Sequence, residues 1–163
     1  MVAVNLKRIV RHLMMTHWRV KAAFPPRILS AIEKAIRESH DAHVGQVRFV
    51  VEGALHSVAL FDGLTARERA IDVFSLLRVW DTEHNNGVLI YVLLADRDVE
   101  IIADRGIHSR VSTAEWESIC RLMEAHFRCR EFELGTLRGL EKVTTLLRNL
   151  CKTPAHSDVE EYY

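Results

Sequence analysis

Gly87 to Ala95 is nine residues without a charge, and Val99 to Ala103 renews the apolar pattern after the triplet Asp96-Arg97-Asp98. A run that is apolar at every position, rather than at alternate ones, is what a strand covered on both faces requires, because neither face then meets water. The two runs predict strands joined by a tight hairpin turning at Asp96 to Asp98, with helices on both sides of the sheet. Nine residues also fall well short of the roughly 18 to 20 that a bilayer-spanning helix needs.

The flanking segments supply a third strand and the helices. Val47, Phe49 and Val51 alternate with Gln46, Arg48 and Val50 in the period of a strand that ends near Gly53. Asp62-Gly63 marks a turn, and Thr65-Ala66-Arg67-Glu68 is a capping box opening a helix expected to reach about Trp80. The first two strands are therefore expected to be parallel, joined by a right-handed helical crossover. Phe24-Pro25-Pro26 ends one helix and begins another, marked by Ile28, Leu29, Ile32, Ala35 and Ile36 and fading between His40 and Gly45. Ser112-Thr113-Ala114-Glu115 is a second capping box before Trp116, Ile119, Cys120, Met123 and Phe127, and a last helix uses Leu137, Leu140, Val143, Leu147 and Leu150. The fold expected is α/β, a single-domain sandwich with a small mixed sheet, parallel pair plus hairpin, flanked by helices. With 48% hydrophobic and 27% charged residues, and only 7 Gly and 3 Pro in 163, the chain has the composition of one ordinary domain with short connections.

Zero formal net charge hides an asymmetry. Residues 1–32 contain no acid but include Lys7, Arg8, Arg11, Arg19, Lys21 and Arg27, leaving 16 of the 22 basic residues against all 22 acidic ones in the remainder. Leu6, Ile9, Val10, Leu13, Met14 and His17 recur at helical spacing, so residues 1–23 read as a basic amphipathic helix, 24–152 as the domain proper and 153–163 as an acidic tail. Three uses fit that helix. It lays its apolar stripe on the domain or a second copy, it binds a membrane surface or anionic partner through Leu6 to Lys21, or it is a transit peptide. Arg8, Arg11 and His12 interrupt any secretory signal, and the odd count of 3 Cys fits a reducing compartment, so a cytoplasmic location is expected. The overall charge balance argues against a nucleic-acid partner.

Polar chemistry concentrates in Arg78-Val79-Trp80-Asp81-Thr82-Glu83-His84-Asn85-Asn86-Gly87. With the turn at Asp96 to Asp98, Ile90 would face Asp104 and Val88 would face Gly106, bringing Asn85 and Asn86 toward Ile107 to Ser109. Asp104-Arg105-Gly106 would then meet Asp81 to Asn86 at one end of the sheet. Carboxylates and amide oxygens suit a hard cation such as Ca²⁺ or Mg²⁺, whereas Arg105 and a helix N-terminus suit an anion. Asp81, Glu83 and Asp104 are accordingly the candidate metal ligands, and His84, Asn85, Asn86 and Arg105 the candidate ligand-binding residues. A purely structural role competes, since Asn-Asn-Gly is a favoured left-handed turn and Asp81 could form an Asx turn.

Other spacings carry less. Asp96-Arg97-Asp98-Val99 lacks the spacing of an aspartyl-phosphate nucleophile motif and reads as the hairpin turn. His40 and His43 sit where a helix ends, where the dipole favours cationic His. Cys120 shares an apolar face, so Cys120, His126 and Cys129 read as structural residues rather than a zinc site. Phosphate-loop, dinucleotide-loop and nucleophile-elbow patterns are absent.

The ordered series Trp80, Asn85-Asn86-Gly87-Val88-Leu89-Ile90, Asp96-Arg97-Asp98-Val99-Glu100-Ile101 and Asp104-Arg105-Gly106-Ile107 resembles the TPM domain family, over about Pro26 to Leu150. The resemblance implies a central sheet between helices. Relatives include a thylakoid member linked to photosystem repair and reported as an acid phosphatase, and bacterial members that bind divalent cations. Exported members carry a signal peptide, often a C-terminal membrane segment, and a Gly-rich stretch after the Trp, where this chain has Asp81-Thr82-Glu83-His84. No nucleophile or base transfers residue by residue, while Asn85, Asn86, Asp104 and Arg105 match the family pattern at the sheet edge. The leading expectation is a protein without enzymatic activity that binds a divalent cation or small anion there and acts in protein assembly or quality control, through a protein partner or self-association. The alternatives are a metal-dependent phosphatase, with Asp81 and Asp104 holding the ion, Arg105 clamping phosphate and His84 as acid or base, and a membrane-surface adaptor.

Overall fold

The computed structural model describes residues 5–42 and 45–150, so the expected acidic tail and His43 lie outside the described residues. Helices α1 (Leu6–Leu13), α2 (His17–Ala23) and α3 (Pro26–His40) precede strand β1 (Gln46–Glu52). The short α4 (Ser57–Phe61) and α5 (Ala66–Leu76) lead to strands β2 (Gly87–Leu93) and β3 (Asp98–Ala103), and α6 (Arg105–His108), α7 (Thr113–Arg128) and α8 (Phe132–Leu150) follow. The sheet order is β1-β2-β3, with β1 parallel and β3 antiparallel to β2. The expected mixed sheet between helices is therefore present.

β2 sorts its side chains by parity. Val88, Ile90 and Val92 enter a large cluster with Val47, Ile101 and residues of α3, α7 and α8, whereas Leu89, Tyr91 and Leu93 enter a smaller one with Ile9, Leu60 and residues of α5. All seven strand residues are buried. Each fully buried aliphatic side chain stabilises the fold by about 1.5–3 kcal/mol, so β2 is the element on which both helical layers rest. Phe24, held at the end of α2 by the Pro25-Pro26 stop, packs against Phe49, Phe127 and Phe132, its ring edge-on to Phe127 at 6.0 Å.

The helix starts follow the two capping boxes. Thr65 Oγ1 accepts from the Glu68 N–H and the Glu68 carboxylate accepts from the Thr65 N–H; Ser112 and Glu115 exchange the same pair. The expected stop at Trp80 is corrected, because α5 ends four residues earlier. Arg78 takes the left-handed conformation (φ 52°), the Val79 N–H reaches back to the Phe74 carbonyl, and Val79 enters the smaller cluster beside Phe74. This is a Schellman ending with Arg where Gly is usual, so it left no glycine signal.

The hairpin alignment is also corrected. Ile90 pairs with Ile101 and Val88 with Ala103, three residues from the expected partners Asp104 and Gly106. The turn occupies Leu94 to Arg97, closed by the Arg97 N–H on the Leu94 carbonyl at 3.1 Å with Arg97 left-handed (φ 56°). Asp96 is drawn inward there. Arg8 Nε and Nη2 donate to its Oδ2 at 2.9 and 2.8 Å, and His12 Nε2 lies 2.9 Å from Oδ1. Because the Leu55 N–H donates to His12 Nδ1 at 3.0 Å, the ring hydrogen sits on Nε2 and donates to Asp96.

This contact decides how the N-terminal segment lies. The single amphipathic helix expected over residues 1–23 is broken at Met14 to Thr16 into α1 and α2. Its apolar stripe does not face the domain: Arg8, Ile9 and His12 point inward, and Leu6, Val10, Leu13 and Met14 point out. Met15 and Val20 pack against Gly53, so the segment covers the carboxyl end of β1.

Side chains also occupy the outer N–H groups of the sheet. Val47 of β1 donates to His40 Nε2 at 3.2 Å, Val99 of β3 donates to the Glu124 carboxylate at 3.2 Å, and Ile101 donates to the Cys120 sulfur. His40 serves as an acceptor because burial, and then the nearby Arg48 charge, hold its pKa below the usual value; the expectation of a cationic His at this helix end is corrected. Burial, with Glu100 and Glu124 nearby, pushes the Cys120 thiol up to about 12.

Asp98, at the start of β3, has its carboxyl pushed up to about 6 by burial and by the charges of Glu100, Glu124 and Asp96. A carboxyl whose folded value exceeds its unfolded one adds stability that is complete below about pH 4 and lost as pH rises through about 6. Asp98→Asn should thus raise stability at pH 7 by about 1 kcal/mol, a figure reduced for solvent screening, and flatten the pH dependence between about 4 and 6. Urea unfolding of both proteins across that range checks this, and an unchanged slope would refute it.

Candidate functional site

The segment from Asp81 to Gly87 meets the exit of β3 at the amino end of β2. Asn85 turns the chain in the left-handed conformation (φ 50°), as expected of Asn before Asn-Gly. The Asn86 N–H donates to Thr82 Oγ1 at 3.0 Å, and its carbonyl accepts from Gln46 at 3.2 Å, tying the loop to β1. From the other side the Asp104 N–H donates to the Gly87 carbonyl at 2.8 Å and the Gly106 N–H to the Asn85 carbonyl at 3.0 Å. Gly106 is required here, since a side chain would strike the carbonyls of His84 and Asn85.

Asp104 caps α6. Its Oδ1 accepts from the Arg105 N–H at 2.7 Å, while Oδ2 is buried without a hydrogen-bond partner. The residue is 8% exposed. A buried carboxylate oxygen left in this state costs about 1–3 kcal/mol or more, so the atom calls for a ligand, ion or water. Arg105 Nε donates to Asn85 Oδ1 at 3.3 Å, and Asn86 is buried beside this corner.

Asn85, Asn86, Asp104 and Arg105 are thus brought together, with Asn85 opposite Gly106 rather than beside Ile107 to Ser109. Asp81 is exposed and paired with Arg78 at 2.8 Å, and Arg78 also lies over the Trp80 ring at 5.7 Å. Glu83 and His84 are exposed on the same loop. Among the described residues, no group of three or more His, Cys, Asp or Glu side chains is arranged to hold a metal ion. The roles of Thr82 and Gln46 were not foreseen, although Thr four residues before Asn86 is a local hydrogen-bonding signal.

A second polar network lies at the other end of β2. Arg69 Nε and Nη2 donate to the two Glu52 carboxylate oxygens at 2.9 and 2.7 Å, and Tyr91 donates to Glu52 Oε2 at 2.6 Å. Burial opposes ionisation of Glu52, but the hydrogen bonds from Arg69 and Tyr91 outweigh it and hold the carboxyl below its usual value. The Tyr91 hydroxyl is pushed upward by burial and by Glu52, so it stays protonated and serves as a donor.

A sheet of this order, with a left-handed Asn before the central strand and an Asp-capped turn after the hairpin, defines a class of small α/β domains, and the sequence comparison agrees. The TPM domain model matches residues 22–146, and the chain belongs to that family. Among solved structures it is similar to the BA42 protein of the psychrophilic bacterium Bizionia argentinensis, at 30% identity and TM-score 0.67, covering 77% of this chain and 81% of that one. The N-terminal domain of a P. gingivalis protein shares the fold at 15% identity and TM-score 0.65, covering 83% of each chain. The N-terminal domain of a Corynebacterium glutamicum protein does so at 12% identity and TM-score 0.57, over 86% of this chain and 82% of that one. No curated protein matches the sequence.

Proposed function

We propose that this TPM domain binds a divalent cation, Ca²⁺ or Mg²⁺, at the corner formed by Asp104, Asn85 and Asn86, and that the occupied corner serves protein assembly rather than catalysis. The observation that carries the reading is the buried, unpartnered Asp104 Oδ2. Carboxylate and amide oxygens are the ligands hard cations prefer, and Asp104 with the amide oxygen of Asn86, and that of Asn85 on release from Arg105, would hold the ion. Glu83, on the exposed loop, and Asp81, on release from Arg78, would complete the shell. The phosphatase reading draws less support, since His84, its acid or base, is exposed on the loop. The free thiols of Cys120 and Cys129 are consistent with work in the reducing cytoplasm. Among the described residues no helix is long and apolar enough to cross a membrane.

A ligand that binds only the folded state stabilises it by about 2.7 kcal/mol at one hundred times its dissociation constant. Millimolar Ca²⁺ or Mg²⁺ should therefore raise the melting midpoint of the chelator-stripped protein by several degrees, and Asp104→Asn should abolish the rise. An unchanged midpoint in the wild type, or a rise that survives in Asp104→Asn, would refute the site.

A further inference from the structure

An amphipathic helix on a soluble domain ordinarily buries its apolar stripe and shows its charges to water. Helix α1 does the reverse. Arg8 and His12 point into the domain, where Asp96, the Leu64 carbonyl and the Leu55 N–H satisfy them, and Ile9 alone of the apolar residues follows them inward. The outer face is left to Leu6, 71% exposed, Leu13, 70% exposed, and the half-exposed Val10 and Met14, which fall on one side of the helix at positions i, i+4, i+7 and i+8. Trp18, at the start of α2, is 84% exposed. The cations Lys7, Arg11, Arg19 and Lys21 are exposed on the same two helices, and no acidic residue occurs before Glu33.

We infer that the outer face of α1 and α2 docks on an anionic bilayer surface. Exposed aliphatics, an interfacial Trp and flanking Lys and Arg together satisfy the two requirements of surface binding, apolar insertion and attraction to acidic headgroups. A second copy of the same face is a poorer occupant, because it would bring Lys7, Arg19 and Lys21 against one another with no acidic residue on either helix to separate them. The interaction with Asp96 makes the face a fixed part of the domain, at the carboxyl end of β2. The Asp104 corner lies at the opposite end of that seven-residue strand, about 20 Å away, and so stays open to solution when the protein is docked.

The full chain is mixed with phosphatidylcholine vesicles, with and without about 30 mol % phosphatidylglycerol, and sedimented. The wild type is expected to pellet with the anionic vesicles, to bind the neutral ones about tenfold less, and to be released by salt. The variants Leu6→Gln/Leu13→Gln/Trp18→Gln and Lys7→Gln/Arg19→Gln/Lys21→Gln should each bind about tenfold less or weaker, with melting midpoints near wild type because every changed side chain is exposed. Independently, the wild-type tryptophan emission should shift to the blue on binding, and Trp18→Phe should remove that shift while still pelleting. Failure of the wild type to pellet, or undiminished pelleting of both multiple variants, overturns the inference. So does a dimer in sedimentation velocity that the apolar variant abolishes, which would make a second copy the occupant, or binding confined to an acidic protein.

Discussion

Replacement of Gly87 by Ala is expected to lower stability by about 3 kcal/mol or more, or about 10 °C in melting midpoint for a chain of this size. Gly87 opens the central strand, and a side chain there would collide with the backbone carbonyl of Val79. That carbonyl has nowhere to go. Val79 is fixed by the left-handed Arg78, by its N–H on the Phe74 carbonyl and by its own burial among Phe74, Leu89 and Tyr91. Relief would require β2 to move, and β2 carries hydrogen bonds on both edges and packing on both faces. Gly139→Ala is the contrasting case. A side chain there meets the sulfur and Cγ of the fully buried Met123, a side chain that can shift where a carbonyl cannot, and the helix gains propensity from losing a glycine. We expect Gly139→Ala to cost about 1–2 kcal/mol, less than Gly87→Ala. Equal melting curves for the two variants would show that the Val79 contact is not rigid.

The second large effect falls on Asp96. Asp96→Ala removes the acceptor shared by Arg8, His12 and, at 3.5 Å, Arg11, and leaves the buried His12 and the mostly buried Arg8 without their main partner. Breaking a buried ion pair by deleting one member costs about 3–5 kcal/mol; Arg8 keeps the Leu64 carbonyl, which places the loss near about 3 kcal/mol. Amide exchange in α1 should accelerate first, because the Asp96 contacts anchor that helix. The effect carries a pH signature. Burial opposes ionisation of Asp96, but the hydrogen bonds from Arg8 and His12 outweigh it and hold the carboxyl below its usual value. Stability from this group is present above the unfolded carboxyl pKa of about 3.9 and is lost as pH falls through the lower folded value. Exchange and denaturant unfolding of the variant at pH 7 and near pH 3 measure both terms. A variant within about 0.5 kcal/mol of wild type, with α1 equally protected, would remove Asp96 from this role.

What the residues disclosed in advance was local. The uncharged run of β2 required a strand covered twice, Pro25-Pro26 separated α2 from α3, and the Thr65 and Ser112 boxes started α5 and α7 where expected, because each signal acts within a few residues of itself. The left-handed Asn before Gly87 was legible for the same reason, and the meeting of Asp104-Arg105-Gly106 with that loop followed from the hairpin even with its register off by three, whereas the capping role of Asp104 was not foreseen. What escaped depends on distant partners. The hairpin differs by three because its turn falls at Leu94 to Arg97 rather than on the charged triplet, with Asp96 at its centre held by Arg8 and His12, more than eighty positions earlier. The same bonds reversed the facing of α1. The ion pair of Asp81 with Arg78 was not foreseen either, and α5 stopped on an Arg whose left-handed geometry no composition rule announces.

The sheet is three strands wide and has two open margins, each a potential template on which another chain could add a strand. Each margin is engaged in part by side chains of the protein's own helices, His40 at Val47 of β1 and Glu124 with Cys120 at Val99 and Ile101 of β3. The arrangement works as self-insulation against edge-to-edge polymerisation, and it operates without the lysines or prolines that commonly interrupt exposed edges. Another chain adding a strand would therefore have to displace side chains that already belong to this fold.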